Sequence, residues 1–196
     1  MNNQQGKREL ILQAAMQQFA EEGYSNATMI SVAQRARVGK GTIYEYFSSK
    51  EALFSEIIHN GLTYLFEELM KELTRPGSVY EKVEHLYIRN VELFRTTTEL
   101  RNIMVNNLGN VPRYFHDEFK KWKKEMIDVM EKLLLEGMER GEVVGMNPHV
   151  AALIVLNGLQ VSISYLVDQG EHSEGSIEEF IEQLLNGVFG GLASRT

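Results

Sequence analysis

The segment ARVGKGTIYEYF, residues 36–47, decides the fold of the first part of the chain. Its first four residues form a tight turn between two short helical patterns, one near 29–36 and one from Gly39 through Phe47. Two short helices joined by a tight turn have the geometry of a helix-turn-helix, in which the second helix enters the major groove of DNA. The segment therefore predicts a nucleic-acid-binding element.

The residue types of the second short helix suit a position against a duplex. Lysine, threonine and tyrosine side chains bond phosphate oxygens, and glycine lets the backbone approach closely. Ile43 and Phe47 lie four residues apart on the opposite side, so we expect them to pack inward. Glu45 would repel phosphate, so it faces away or serves specificity.

Helical periodicity and cap signals continue on both sides of this segment. An apolar stripe predicts a first helix over residues 7–22, with Gly23 as its C′ residue, and Thr28 is the expected N-cap of the helix near 29–36. The stripe is Leu10, Ile11, Ala14, Ala15 and Phe19, and the inward positions of the second helix are Val32, Ala33 and Ala36.

Three capping-box patterns, each a Ser or Thr followed three residues later by Glu, mark further helix starts. They are Ser48–Glu51, Ser78–Glu81 and Thr96–Glu99, and they predict helices from about Lys50, over 79–95 and over 97–108. Later helices are expected from Pro112 to Gly141, from Asn147-Pro148 to about Asp168, and from Ser176 to about Gly190. No sustained alternation predicts a strand, so the expected fold is all-α with nine helices.

Composition limits the classes of function. The 196 residues contain no cysteine, which excludes disulfides and thiolate metal sites, and they lack an apolar run of 18 residues and a secretory signal. The net charge is −7, yet residues 1–50 carry +2 and residues 51–196 carry −9. A slightly basic first part on an acidic remainder fits DNA binding, although an ordinary solvated surface would look the same. We expect a cytoplasmic protein with no membrane partner.

Catalysis finds little support in the sequence. The five histidines are scattered without metal-ligand spacing, and no Gly-x-Ser-x-Gly motif occurs. The lysine run Lys120-Lys121-x-Lys123-Lys124 on a long amphipathic helix is read as a solvated face. We therefore expect no catalytic residues, no metal site, no cofactor and no enzyme.

An ordered set of positions resembles the signature of the TetR family of bacterial transcriptional regulators. The set consists of Thr28, Val32-Ala33, residues 36–47 and Lys50-Glu51-Ala52-Leu53-Phe54. The resemblance covers residues 7–55; the rest agrees in length and helical pattern. It implies a three-helix DNA-binding domain at residues 1–50, here called the head. Residues 51–196, here called the body, would then bind an effector and dimerise, with the boundary inside the helix that begins near Lys50.

By this resemblance the head contacts DNA through eight residues. Thr28 would bond a phosphate, Thr42 a base edge or a thymine methyl, and Lys50 the backbone. Arg37 stands where the family usually has glycine, so it is expected at positive φ, where it either reaches phosphate or guanine or is a tolerated surface residue. Gly39 replaces the usual serine cap. The expected DNA-binding residues are Thr28, Arg37, Lys40, Gly41, Thr42, Tyr44, Tyr46 and Lys50.

The resemblance also assigns roles within the body. The two apolar helices over 148–192 would pair with their copies into a two-fold dimer interface, although burial within one monomer would also explain them. The middle helices would enclose a small, hydrophobic effector such as an acyl chain or an aromatic compound. The expected effector-binding residues are Leu62, Phe66, Tyr87, Val91, Phe94, Met104, Asn107, Trp122, Met126, Asn157 and Gln160.

The resulting hypothesis is a dimeric repressor that binds a pseudo-palindromic operator and is released by a hydrophobic effector. A DNA-bound module that docks another protein through its acidic body and takes no effector is the first alternative. A helical enzyme is the second, and turnover without DNA affinity would favour it.

Overall fold

The structure is a computed structural model that describes residues 3–106, 113–169 and 177–191. Within these ranges the chain forms nine α-helices and no strand, as the sequence predicts. The helices are α1 (Asn3–Asn26), α2 (Met29–Arg35), α3 (Lys40–Tyr46), α4 (Lys50–Thr74), α5 (Val79–Thr96), α6 (Thr98–Asn106), α7 (Arg113–Glu139), α8 (Pro148–Gln169) and α9 (Ile177–Gly191).

The predicted caps fix several helix starts. At α5 the Ser78 N–H donates to the Glu81 carboxylate at 2.8 Å, while the Glu81 N–H donates to the Ser78 hydroxyl at 3.3 Å. At α8 the Val150 N–H donates to Asn147 Oδ1 at 3.2 Å. Both starts lie where the sequence places them, because each cap satisfies an N–H that has no partner within its helix.

Two predicted caps are wrong by one residue, although α4 begins at Lys50 as predicted. The Ala52 N–H donates to the Ser49 hydroxyl at 3.1 Å, so Ser49, and not Ser48, caps α4. Thr96 is the last residue of α5, where its hydroxyl donates to the Glu92 carbonyl at 2.7 Å, so α6 begins at Thr98. Adjacent hydroxyl residues leave the sequence pattern ambiguous, and side-chain hydrogen bonding selects between them. The predicted cap signals at Pro112 and Ser176 lie outside the described residues.

Helix α1 loses helical geometry at Gly23, where φ is +77° and ψ is 160°. Glycine tolerates this conformation because it has no Cβ, which confirms its predicted place at the end of the apolar stripe. Four of the five stripe residues are buried, but Leu10 is 52% exposed. The prediction for Leu10 is therefore wrong, because one face of α1 is too narrow to bury both Leu10 and its neighbour Ile11.

Two compact units divide the chain, with the division inside α4 between Tyr64 and Leu65. The first unit contains residues 1–64 and 97–117, so α6 belongs with the three N-terminal helices. Within it α1 packs against α2 and α6, and α2 packs against α3. Its buried side chains include Ile11, Ala14, Ala15, Phe19, Val32, Ala33, Ala36, Ile43, Phe47, Leu53, Phe54, Ile57 and Ile58.

The second unit contains residues 65–96 and 118–196, in which α5 packs against α8 and α9. Tyr87 is fully buried, and its hydroxyl donates to the Val155 carbonyl at 2.7 Å. A Cβ on Gly158 would lie 2.2 Å from that hydroxyl, so glycine is what lets α8 approach α5 here. The Asn90 amide adds hydrogen bonds to the Leu159 carbonyl and to the buried Ser162 hydroxyl.

The two C-terminal helices differ in how far this unit covers them. On α9 the apolar residues Ile181, Leu185 and Val188 are buried. On α8, Val150, Ile154, Val161 and Val167 remain exposed, together with the polar residues Asn157 and Ser164. Among the described helices, α8 alone is long and apolar enough to span a membrane by length and composition, a test that core helices of soluble proteins also pass.

Candidate nucleic-acid interface

The outer face of the helix-turn-helix is set by what its inner face buries. Ile43 is 0% and Phe47 3% exposed, which confirms their predicted inward positions. Because these residues fix the rotation of α3, the remaining positions turn outward. Lys40, Gly41, Tyr44 and Glu45 are exposed, and Thr42 and Tyr46 are half-buried beside them.

The capping box at Thr28 fixes the start of α2. The Thr28 hydroxyl accepts from the Ser31 N–H at 3.0 Å, and the Ser31 hydroxyl accepts from the Thr28 N–H at 3.0 Å. The Thr28 side chain is exposed. The Thr28 O–H itself donates to the Ser31 hydroxyl at 3.1 Å, so the predicted phosphate contact would require this exposed hydroxyl to exchange that hydrogen bond for one to the phosphate.

The turn between α2 and α3 requires a left-handed residue. Arg37 has a φ of +56°, as its position in the family pattern predicts, and its N–H donates to the Gln34 carbonyl at 3.1 Å. The Val38 N–H donates to the Ala33 carbonyl at 3.0 Å and closes the turn. Gly39 is the N-cap of α3 and provides no side-chain hydrogen bond, also as predicted.

Ion pairs neutralise some of the basic residues of the head, so fewer unpaired positive charges remain on its surface than its composition implies. The Arg8 guanidinium lies 2.5 Å from the Glu56 carboxylate, and Arg35 binds the Glu21 carboxylate through two hydrogen bonds. The Arg35 hydrogen bond holds the pKa of Glu21 below its usual value. Arg37 and Lys40 form no ion pair with any residue that the structure describes, so their charges are available to an anion.

Lys50 lies at a different kind of site from the other predicted DNA contacts. Its ammonium donates to the carbonyls of Tyr24 at 2.8 Å and Ala27 at 3.0 Å, and it lies 4.4 Å from the Tyr24 ring centroid. Sequence reasoning did not single out Tyr24, because its position just after Gly23 carries no periodic signal.

The predicted effector-binding residues fall into several environments. Tyr87 and Val91 are core residues of the second unit, and Phe94 and Met126 are partly buried against that core. Leu62 is half-buried in the part of α4 that belongs to the first unit. The Met104 side chain and Asn107 lie outside the described residues.

Phe66 and Trp122 are the one predicted effector pair that the structure shows in ring contact within its described part. Their rings stack with centroids 5.7 Å apart and an interplanar angle of 18°. Asn157 and Gln160 lie on α8, where both are exposed. The Asn157 amide instead donates to the Leu153 carbonyl at 2.7 Å. No group of three potential metal-ligating side chains occurs among the described residues.

Two family models match the chain. Residues 11–57 match the bacterial regulatory proteins of the tetR family, and residues 54–189 match the tetracyclin repressor-like C-terminal domain. The chain belongs to the TetR family. It is therefore a transcriptional regulator with a DNA-binding helix-turn-helix, and α3 is the recognition helix of this TetR-family protein.

Relatives extend the match over most of the chain. The HTH-type transcriptional regulator YhgD of Bacillus subtilis is 29% identical over 154 residues, covering 76% of this chain and 78% of its own. The fold also matches FadR from Bacillus subtilis in complex with stearoyl-CoA, with a TM-score of 0.71, 19% identity and coverage of 94% and 99% of the two chains. It matches AibR in complex with isovaleryl coenzyme A and operator DNA, with a TM-score of 0.65, 19% identity and coverage of 95% and 97%.

Replacing Arg37 by glycine is expected to stabilise the head by about 0.5–1 kcal/mol, because glycine adopts the left-handed conformation without a Cβ clash. The measurement is the free energy of unfolding in urea. Arg37→Ala is the control, since it removes the same charge but keeps the strain. Equal stability of the two variants would contradict this account of the turn.

Lys40→Ala is expected to weaken binding to DNA of any sequence and to lower the slope of log K against log salt by about one, because one phosphate contact is lost. The probe is a duplex selected from a random pool by the wild-type protein, titrated at several salt concentrations by fluorescence anisotropy. Lys132→Ala, an exposed lysine on α7, is the matched control and should leave the slope unchanged. A wild-type slope for Lys40→Ala would refute the contact.

Proposed function

We propose that this protein is a cytoplasmic, homodimeric repressor that leaves a pseudo-palindromic operator when a hydrophobic effector binds. The observation that supports the DNA-binding part is the outer face of α3. Lys40 is exposed on this face, while Ile43 and Phe47 are buried on the opposite side of the helix. In this proposal residues 1–50 form the DNA-binding domain and residues 51–196 bind the effector and dimerise. Thr28, Arg37, Gly41, Thr42, Tyr44 and Tyr46 complete the DNA-contacting set.

A second copy of this chain is the proposed occupant of the exposed face of α8. No Lys, Arg, Asp or Glu occurs from residue 149 through 167, although 24% of the chain is charged. In a two-fold interface each residue near the axis meets its own copy, so a charge there would face a like charge. An apolar, charge-free stripe containing Val150, Ile154 and Val161 is therefore suited to a second copy of a protein with a net charge of −7.

Val161→Glu is expected to convert the dimer to a monomer, with at least a tenfold increase in the dimer dissociation constant, because two buried carboxylates would face each other. Analytical ultracentrifugation measures the change. Leu135→Glu on α7 is the matched control, since Leu135 is 48% and Val161 46% exposed. A wild-type protein that is monomeric, or a Val161→Glu variant that still dimerises normally, would exclude this interface.

A fatty acyl-CoA is the proposed effector. The FadR and AibR structures hold stearoyl-CoA and isovaleryl coenzyme A, and AibR holds operator DNA as well. In this chain Phe66 on α4 and Trp122 on α7 offer stacked aromatic surface outside the main apolar core of their unit. Half-buried aromatic side chains of this kind suit an apolar ligand. The same two helices also carry the partly buried Met70 and Met126, whose side chains adapt to varied shapes.

Stearoyl-CoA is expected to release the selected duplex and to change the emission of Trp122, which is the only tryptophan of the chain. Isovaleryl-CoA and coenzyme A alone test the requirement for a long chain. Phe66→Ala should weaken the response at least tenfold, because the apolar contact area is lost. Tyr64→Ala is the control, being an exposed aromatic on the same helix. Operator binding that no acyl-CoA affects would instead favour a protein-docking module without an effector.

The proposed mechanism is a shift between two dimer conformations. A ligand changes an equilibrium only as far as it prefers one state, so the effector must favour a body conformation that holds α4 at a different tilt. Half-sites of a dimeric helix-turn-helix protein lie about 34–36 Å apart, and both heads must fit at once. A change of a few ångströms in head separation would therefore weaken binding.

A further inference from the structure

Lys50 begins α4, and its ammonium is already bound within the first unit. Two of its three N–H donors are used by the carbonyls of Tyr24 and Ala27, at 2.8 and 3.0 Å. The same ammonium lies 4.4 Å from the Tyr24 ring centroid, within the range of a cation–π interaction. The ammonium of Lys50 is therefore engaged in contacts within the protein, whereas Lys40 forms no ion pair with any described residue.

The two carbonyls belong to the junction between α1 and α2. Tyr24 follows the break in α1 at Gly23, and Ala27 lies between Asn26, the last residue of α1, and Thr28, the cap of α2. A backbone carbonyl outside the regular part of a helix needs a hydrogen-bond donor from elsewhere. Lys50 supplies from α4 a charged donor to both carbonyls of this junction.

A second contact joins the same two elements. The Tyr24 hydroxyl is hydrogen-bonded to the Glu51 carboxylate, and burial together with this contact raises the pKa of Tyr24. The Glu51 backbone N–H, followed by the Ser49 hydroxyl and by Tyr24, lowers the pKa of Glu51. Tyr24 is therefore held by Lys50 at its carbonyl and ring and by Glu51 at its hydroxyl.

The junction held in this way leads directly into the DNA-binding helices. Thr28, the cap of α2, follows Ala27, and α2 packs against α3. We propose that Lys50 is a positioning residue that locks the α1–α2 junction onto α4, so that α2 and α3 move with the start of α4 as one rigid body, and that it makes no phosphate contact. This inference rests on the proposed DNA-binding function and replaces the phosphate role that the family resemblance implies for Lys50.

Lys50→Met distinguishes a positioning role from a phosphate contact, because methionine approximately keeps the length of the side chain and removes the ammonium. At 10 °C, with folding checked by circular dichroism, affinity for the selected duplex should fall at least tenfold while the salt slope stays at the wild-type value. Lys40→Met should instead lower the slope by about one. Hydrogen exchange of the α2 amides should accelerate at least tenfold in Lys50→Met, and Lys132→Met should change none of these quantities.

Each other outcome contradicts the proposal in a distinct way. A slope lowered by about one in Lys50→Met would show a phosphate contact. A lower melting temperature with unchanged affinity at 10 °C would show that the residue stabilises the fold only. Failure of the wild-type protein to bind any duplex would contradict the proposed function rather than this inference.

Lys50→Arg is a second variant, which decides the matter should Lys50→Met not fold. Arginine keeps the charge and is an effective phosphate partner, but its planar guanidinium does not reproduce a compact ammonium between two carbonyls. The proposal expects Lys50→Arg to lose affinity at least fivefold with an unchanged salt slope. Wild-type affinity for Lys50→Arg would overturn it.

Discussion

The burial of one side of α3 is the constraint on which the DNA-binding surface depends. Ile43 and Phe47 are removed from water in the core of the first unit, and a helix of seven residues has no freedom to rotate once both are buried. That rotation determines which residues face outward. The exposure of Lys40 and Tyr44 is therefore a consequence of packing, and the chemistry of recognition follows from it.

The same packing divides five of the six cations of the head into two groups. Arg8 and Arg35 are paired with acidic residues, and Lys50 is bound to backbone carbonyls, so these three charges serve internal contacts. Surface ion pairs contribute little stability, but they do reduce the local positive potential. Arg37 in the turn before α3 and Lys40 at the start of α3 form no such contact with a described residue. A net charge of −7 is thus compatible with DNA binding, because the local distribution of charge governs the contact.

In the second unit the balance between covered and uncovered apolar surface differs from one helix to the next. α9 has a marked apolar stripe, and α5 packs against it and against α8. α8 is apolar on most of its circumference, so packing on one side leaves Val150, Ile154 and Val161 exposed. A long exposed apolar stripe is unfavourable in water, and this is the surface that the proposed second copy of the chain would cover.

The sequence by itself determined the all-helical fold, most helix starts, the turn at Arg37 and the inward face of α3. These features depend on local chemistry: caps satisfy neighbouring N–H groups, glycine permits positive φ, and periodicity selects the buried side. Tertiary structure alone decided that Leu10 is exposed, that α6 belongs with the N-terminal helices, and that Lys50 binds the carbonyls of Tyr24 and Ala27. These features depend on contacts between distant parts of the chain; Lys50, for example, lies more than twenty positions from Tyr24 and Ala27. No local pattern specifies which distant carbonyl or apolar surface a side chain meets.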